Sequence, residues 1–139
     1  MNRKKTGPLA TYRILQKYTD EKHLLTLEEI VDHLENEYGV TADRRTIYDN
    51  MNVLGDFDIH IDGFEAGHRG YSLNRDGFNA HKAARLIRTL SSNDEFSDLE
   101  RQMYIDDILS RLSIYQVEEV NHLLEIQNVK LKKENDRPF

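Results

Sequence analysis

The chain has 139 residues, 38 % of them hydrophobic and 32 % charged, a balance that suits one domain or two small ones with modest cores. It lacks cysteine, which excludes a disulfide framework, a thiolate metal site and a cysteine nucleophile. The net charge of −6 runs against phosphate binding, but it is unevenly spread: Arg3, Lys4 and Lys5 cluster, Arg44 and Arg45 are adjacent, and acidic residues gather in Glu28–Glu37 and Asp94–Asp107.

Met1–Thr11 is basic and lacks the long apolar stretch of a signal peptide, and no apolar run approaches membrane-spanning length. A cytoplasmic protein of bacterial type with no membrane partner is therefore expected. Pro8, after Gly7, opens a predicted first helix over 8–20, with Leu9, Tyr12, Ile14, Leu15 and Tyr18 near helical spacing. Thr26-Leu27-Glu28-Glu29 reads as a capping box that starts a second helix. Leu27, Ile30, Val31 and Leu34 form its apolar stripe, and Gly39 closes it. A very short turn, Gly39 to Asp43, leads to a third helix capped by Thr41 or Asp43. Ile47, Met51 and Leu54 are its buried stripe, and Gly55 stops it.

Phe57, Ile59 and Ile61 then alternate with Asp58, His60 and Asp62, the pattern of a strand. Gly63 to Gly70 is rich in turn residues, and Tyr71-Ser72-Leu73 reads as a return strand, so this segment is expected to form a β-hairpin. The rest reads as helical. Phe78, Ala83, Leu86, Ile87 and Leu90 mark a fourth helix, followed by a loop at Ser91–Asp94. Leu99, Met103, Ile105, Ile108, Leu109 and Leu112 mark a fifth, and Ser113 caps a sixth that carries Val117, Val120, Leu124 and Leu131.

The expected fold is thus mainly α with a small β-hairpin. Residues 1–77 form a winged helix-turn-helix domain that binds DNA, and residues 78–139 form a helical region for dimerisation. Val117, Val120, Leu124 and Leu131 approximate a heptad seam. Such a seam serves either packing onto helices of the same chain or a two-fold interface. The dimer reading assigns Ile105, Leu109, Leu112, Val117, Val120 and Leu124 to a homodimer interface. A dimer sets two reading helices roughly 34 Å apart, as a palindromic operator requires.

Two helices, a short turn, a third helix and a hairpin place that third helix in the major groove of double-stranded DNA. Its first turn holds Arg44 and Arg45, and arginine pairs bidentately with guanine. Thr46 and Tyr48 are expected to donate hydroxyls to phosphates, and Asn50 to reach a base or a phosphate. His68 and Arg69, between Gly67 and Gly70, suit a phosphate or the minor groove, and Lys4 and Lys5 add positive charge near the backbone. Asp49 repels phosphate, but it can accept from cytosine or pair with Arg45.

The stretch Thr41–Leu54, followed by Asp58–Asp62 and Gly67-His-Arg-Gly-Tyr-Ser-Leu, resembles the N-terminal winged helix of WYL-domain transcriptional regulators. Phe78–Leu90 is similar to the helix that follows the wing there, so the resemblance covers about residues 8–90. It implies DNA binding through Arg44, Arg45, Thr46 and Tyr48, with Arg69 in the wing, and a dimer. The family's β-rich ligand-sensing domain has no counterpart in the helical residues 78–139, so ligand sensing is not carried over. Either a natural short form, such as a phage regulator, or a fragment of a longer protein fits this pattern.

No enzyme, cofactor or metal site is expected. The six histidines, at 23, 33, 60, 68, 81 and 122, show no zinc-protease spacing, and no glycine-rich loop has the strand-to-helix context of a phosphate cradle. The leading expectation is a dimeric, sequence-specific transcriptional repressor. The alternative is a protein-interaction module, such as a phage-type inhibitor of a host nuclease.

Overall fold

The computed structural model describes residues 3–63 and 69–126, with the side chains of residues 3–6 and 126 left out. The described residues are mainly helical, with one small antiparallel sheet. The chain divides into two units, residues 1–77 and 78–139.

In the first unit, α1 (Arg3–Tyr18) begins five residues before Pro8. Pro8 forgoes only the bond its N–H would give one turn back, and its fixed φ suits a helix. α2 (Leu27–Tyr38) starts in the expected capping box: Thr26 Oγ1 accepts from the Glu29 amide at 3.2 Å, and the Thr26 amide donates to Glu29 Oε1 at 2.9 Å. Gly39 ends the helix in the left-handed conformation, with φ of 65°. α3 (Arg44–Asp56) is capped by Asp43.

The predicted strand from Phe57 is a correction. Asp58 adopts φ of 65°, its amide donates to the Gly55 carbonyl, and the Ile59 amide donates to the Leu54 carbonyl. This crossed pair of bonds is a Schellman closure of α3, with Asp at the left-handed position that Gly normally fills. Only Ile61–Asp62 (β1) pairs, with Ser72–Leu73 (β2), in the register Ile61 to Leu73. Leu25, between α1 and α2, extends this pairing by exchanging two backbone bonds with Tyr71.

The first core joins Ala10, Ile14 and Leu15 of α1, Leu27, Ile30 and Leu34 of α2, Val40, Ile47 of α3, and Leu25 with Tyr71. Its polar ties are specific. The Leu73 amide donates to buried Thr19 Oγ1 at 2.9 Å. The Arg75 guanidinium donates to the carbonyls of Thr19 and Gln16 at 2.7 and 2.6 Å, capping the end of α1 where the helix dipole favours a cation. Tyr18 of α1 stacks on His33 of α2, and Glu37 accepts from both the Tyr18 hydroxyl and Lys17.

In the second unit, Asn79 caps α4 (Ala80–Ser91), Ser97 and Glu100 form a capping box for α5 (Asp98–Ser110), and Ser113 caps α6 (Ile114–Ile126). Ala80, Ala83, Ala84 and Ile87 of α4 pack on Ile105, Leu112, Val120 and Leu124. The small alanines let α6 approach α4 closely. The expected dimer seam is therefore corrected. Ile105, Leu112, Val120 and Leu124 are buried within one chain, and Leu109 and Val117 pack against the same cluster. Their spacing serves a core, while Leu131 lies outside the described residues.

No helix among the described residues is long and apolar enough to cross a membrane.

Candidate nucleic-acid interface

The inner face of α3 is fixed by Ile47, Asn50, Met51 and Leu54, which recur at three and four residues. Ile47, Asn50 and Leu54 are buried and Met51 is half-buried, so the outward face of the helix is centred on Arg45, Asp49, Asn52 and Asp56. Arg44 and Tyr48 flank it on one side, Thr46 and Val53 on the other.

Asn50 is thus turned into the core, which corrects its expected place on the exposed face. Its Nδ2 donates to Thr11 Oγ1 on α1 at 3.1 Å, and both side chains are buried. Gly7 makes room for it, since a Cβ there would sit 3.1 Å from that amide nitrogen. The crossing of α1 and α3 is therefore pinned by a polar pair inside an apolar contact.

Thr46 and Tyr48 are exposed, but their hydroxyls already have partners. Thr46 Oγ1 donates to Asp43 Oδ1 at 2.8 Å, beside the 2.9 Å bond from the Thr46 amide that caps α3. The amide bond first, then the hydroxyl, holds the Asp43 carboxyl below its ordinary pKa. Neither hydroxyl is idle for a phosphate as expected: Tyr48 is hydrogen-bonded to Tyr71, beside β2. Burial and that bond push the Tyr71 phenol up to about 12, against the pull of the Arg44 charge.

Tyr71 is seated by two glycines. A Cβ on Gly63 would lie 2.6 Å from the Tyr71 ring, and one on Gly70 would lie 2.7 Å from the Leu25 carbonyl oxygen. The close approach of hairpin to ring and to Leu25 thus needs both residues bare. Tyr71 then links the base of the hairpin to the first turns of α3, next to Arg44.

No family model matches this chain, and neither does any curated protein or solved structure. The reading of the site therefore rests on its own geometry.

Arg44, Arg45 and Arg69 are all exposed. Arg44 and Arg45 stand at the amino-terminal turn of α3, where the helix dipole is also positive. Lys4 and Lys5 belong to α1, with side chains outside the described residues, and His68 also lies outside them. Two residues stand outside the expected site. Asn52 is on the centre of the outward face, which the spacing of the apolar stripe alone locates. Arg75 carries no signal beyond its charge, because its partners are main-chain carbonyls more than fifty residues earlier. Among the described residues, no group of three or more His, Asp or Glu is placed to hold a metal ion.

Proposed function

We propose that residues 1–77 form a winged helix-turn-helix of the kind found in WYL-domain regulators, and that the protein binds double-stranded DNA as a transcriptional repressor. One observation carries this reading. A helix with two exposed arginines in its first turn follows a five-residue turn from its neighbour, and it is joined through Tyr48 and Tyr71 to the base of an antiparallel hairpin. In this reading the outward face of α3 lies in the major groove with its first turn leading, and Arg69 meets the backbone or minor groove. The −6 charge is tolerable because phosphate contact depends on the face presented, not on the sum.

The test is fluorescence anisotropy against duplexes from the DNA flanking the gene, at two salt concentrations. Tight, sequence-dependent binding that weakens with salt supports the reading, and Arg44→Ala with Arg45→Ala should abolish it. Absence of binding even at low salt sinks it. A homodimer belongs to the same proposal, and sedimentation equilibrium reads it directly, since one chain weighs 16.3 kDa.

One observation favours the second reading, a protein-interaction module. Leu99 and Met103, one turn apart on α5, are 71 % and 62 % exposed, beside the exposed carboxylates of Asp98, Glu100, Asp106 and Asp107. Under that reading, Leu99→Ser with Met103→Ser removes the main activity while the double arginine variant keeps it.

A further inference from the structure

We infer that the outward stripe of α3 reads three adjacent base pairs, with Arg45 selecting guanine, Asp49 cytosine and Asn52 adenine. The inference rests on the DNA reading above and names what that same helix recognises.

The stripe follows from burial. With Ile47, Asn50 and Leu54 turned inward, Arg45, Asp49 and Asn52 occupy the line furthest from the core, at spacings of four and three. They differ from their neighbours in a second way. Thr46 is spent on the Asp43 cap and Tyr48 on Tyr71, whereas Arg45, Asp49 and Asn52 hold no side-chain hydrogen bond or ion pair among the described residues. Arg45 and Asp49 sit one turn apart without closing on each other. Arg44 and Asp56 are likewise exposed and hold no side-chain hydrogen bond or ion pair among the described residues, but Arg44 flanks this line and Asp56 is the last residue of the helix.

Their chemistry is distinct in the major groove. A guanidinium donates twice to guanine O6 and N7, and a carboxamide both accepts from and donates to adenine N6 and N7. A carboxylate finds a donor only at an exocyclic amine, and the cytosine N4 amine suits it. Arg45 to Asn52 is seven residues, about 10.5 Å of helix, against about 6.8 Å between the first and third of three adjacent base pairs, a difference that side chains of this length span. Asp49, in the middle, also acts by exclusion. Facing guanine O6 or thymine O4, it meets an acceptor with its own negative charge, so wrong sequences are rejected as well as right ones chosen.

The experiment is selection of bound duplexes from a randomised pool by the full chain and by Arg45→Ala, Asp49→Ala and Asn52→Ala, each checked for folding by circular dichroism. The unaltered protein should enrich guanine, cytosine and adenine at three adjacent pairs. Asn52→Ala should lose about 5- to 150-fold of its preference at the adenine position and keep its preferences at the other two. Asp49→Ala should bind all duplexes more tightly and lose its choice at the middle position. If Asn52→Ala and Asp49→Ala enrich the same bases as the unaltered protein, the stripe does not read DNA, although the protein binds it. If the unaltered protein retains no duplex at low salt, the DNA reading fails and the stripe falls with it.

Discussion

Asn50 and Tyr71 show how single polar side chains set the geometry of the first unit. Asn50 and Thr11 satisfy each other between α1 and α3, so removing one strands the other away from water. Asn50→Ala should therefore destabilise the fold by about 1–3 kcal/mol, read as a lower urea midpoint, while duplex affinity measured under folded conditions stays unchanged. A direct DNA contact would reverse that pattern. Tyr71 gives a pH signature. Its phenol titrates near 10 when unfolded and is pushed to about 12 when folded, because the buried ring resists charge and Tyr48 shares its hydroxyl. The stabilisation is full below pH 10 and is lost as pH rises toward 12, where the unfolded chain gives up its proton first. The stability advantage of the unaltered protein over Tyr71→Phe should shrink across that window, as chemical denaturation at a series of pH values will show. Gly70→Ala should cost about 1–3 kcal/mol, because its Cβ meets backbone rather than a movable side chain.

At the scale of elements, caps decide where helices begin and end. Ser113 and Gln116 form a buried reciprocal cap at the start of α6: the Ser113 amide donates to Gln116 Oε1 at 3.1 Å, and the Gln116 amide donates to Ser113 Oγ at 3.0 Å. Ser113→Ala should cost about 1–2 kcal/mol, measured by thermal unfolding, with Ser113→Thr recovering part of it. Thr26, Gly39, Asp43 and Ser113 were legible in the sequence because a cap is a local contract among residues three or four apart. The strand from Phe57 misled for the same local reason. Phe57, Ile59 and Ile61 alternate as a strand does, yet Asp58 can enter the left-handed region and fold the backbone onto the end of α3 first. Phe57 then stands 73 % exposed instead of joining a sheet. The seam of Val117, Val120 and Leu124 was legible as an apolar face, but periodicity does not say which molecule supplies the opposite face. The alanines of α4 supply it here. The exposure of Arg44 and Arg45 was legible from their place after a short turn. The polar type of Asn50 points outward while its spacing points inward, and the spacing prevails because 47, 50, 51 and 54 form one stripe.

Across the whole molecule, electrostatics and chain connectivity make separate demands. Among the described residues, Arg44, Arg45 and Arg69 are the exposed cations of the expected site that the proposed interface can bring to phosphates or bases. If all three release counterions, the logarithm of the binding constant should fall against that of salt concentration with a slope of about −3. Arg69→Ala should flatten it by about one unit, and a slope unchanged in that variant would place Arg69 away from the DNA. Each unit carries its own apolar cluster, residues 1–77 around Ile14, Leu15 and Ile30, residues 78–139 around Ala83, Ile87 and Val120. Substitutions such as Val120→Ala should therefore lower the stability of the second unit by about 0.5–3 kcal/mol while leaving the intrinsic duplex contacts of the first untouched.

The grip of Arg75 on the end of α1 also sets a timetable. Its partner Gln16 lies 59 residues earlier in the chain. A ribosome adding about 5–20 residues per second therefore exposes that helix end for roughly 3–12 s before the arginine that closes it has been made. During that interval the nascent amino-terminal helix is an open end, and it is the return of the hairpin, rather than the helix itself, that completes the first unit.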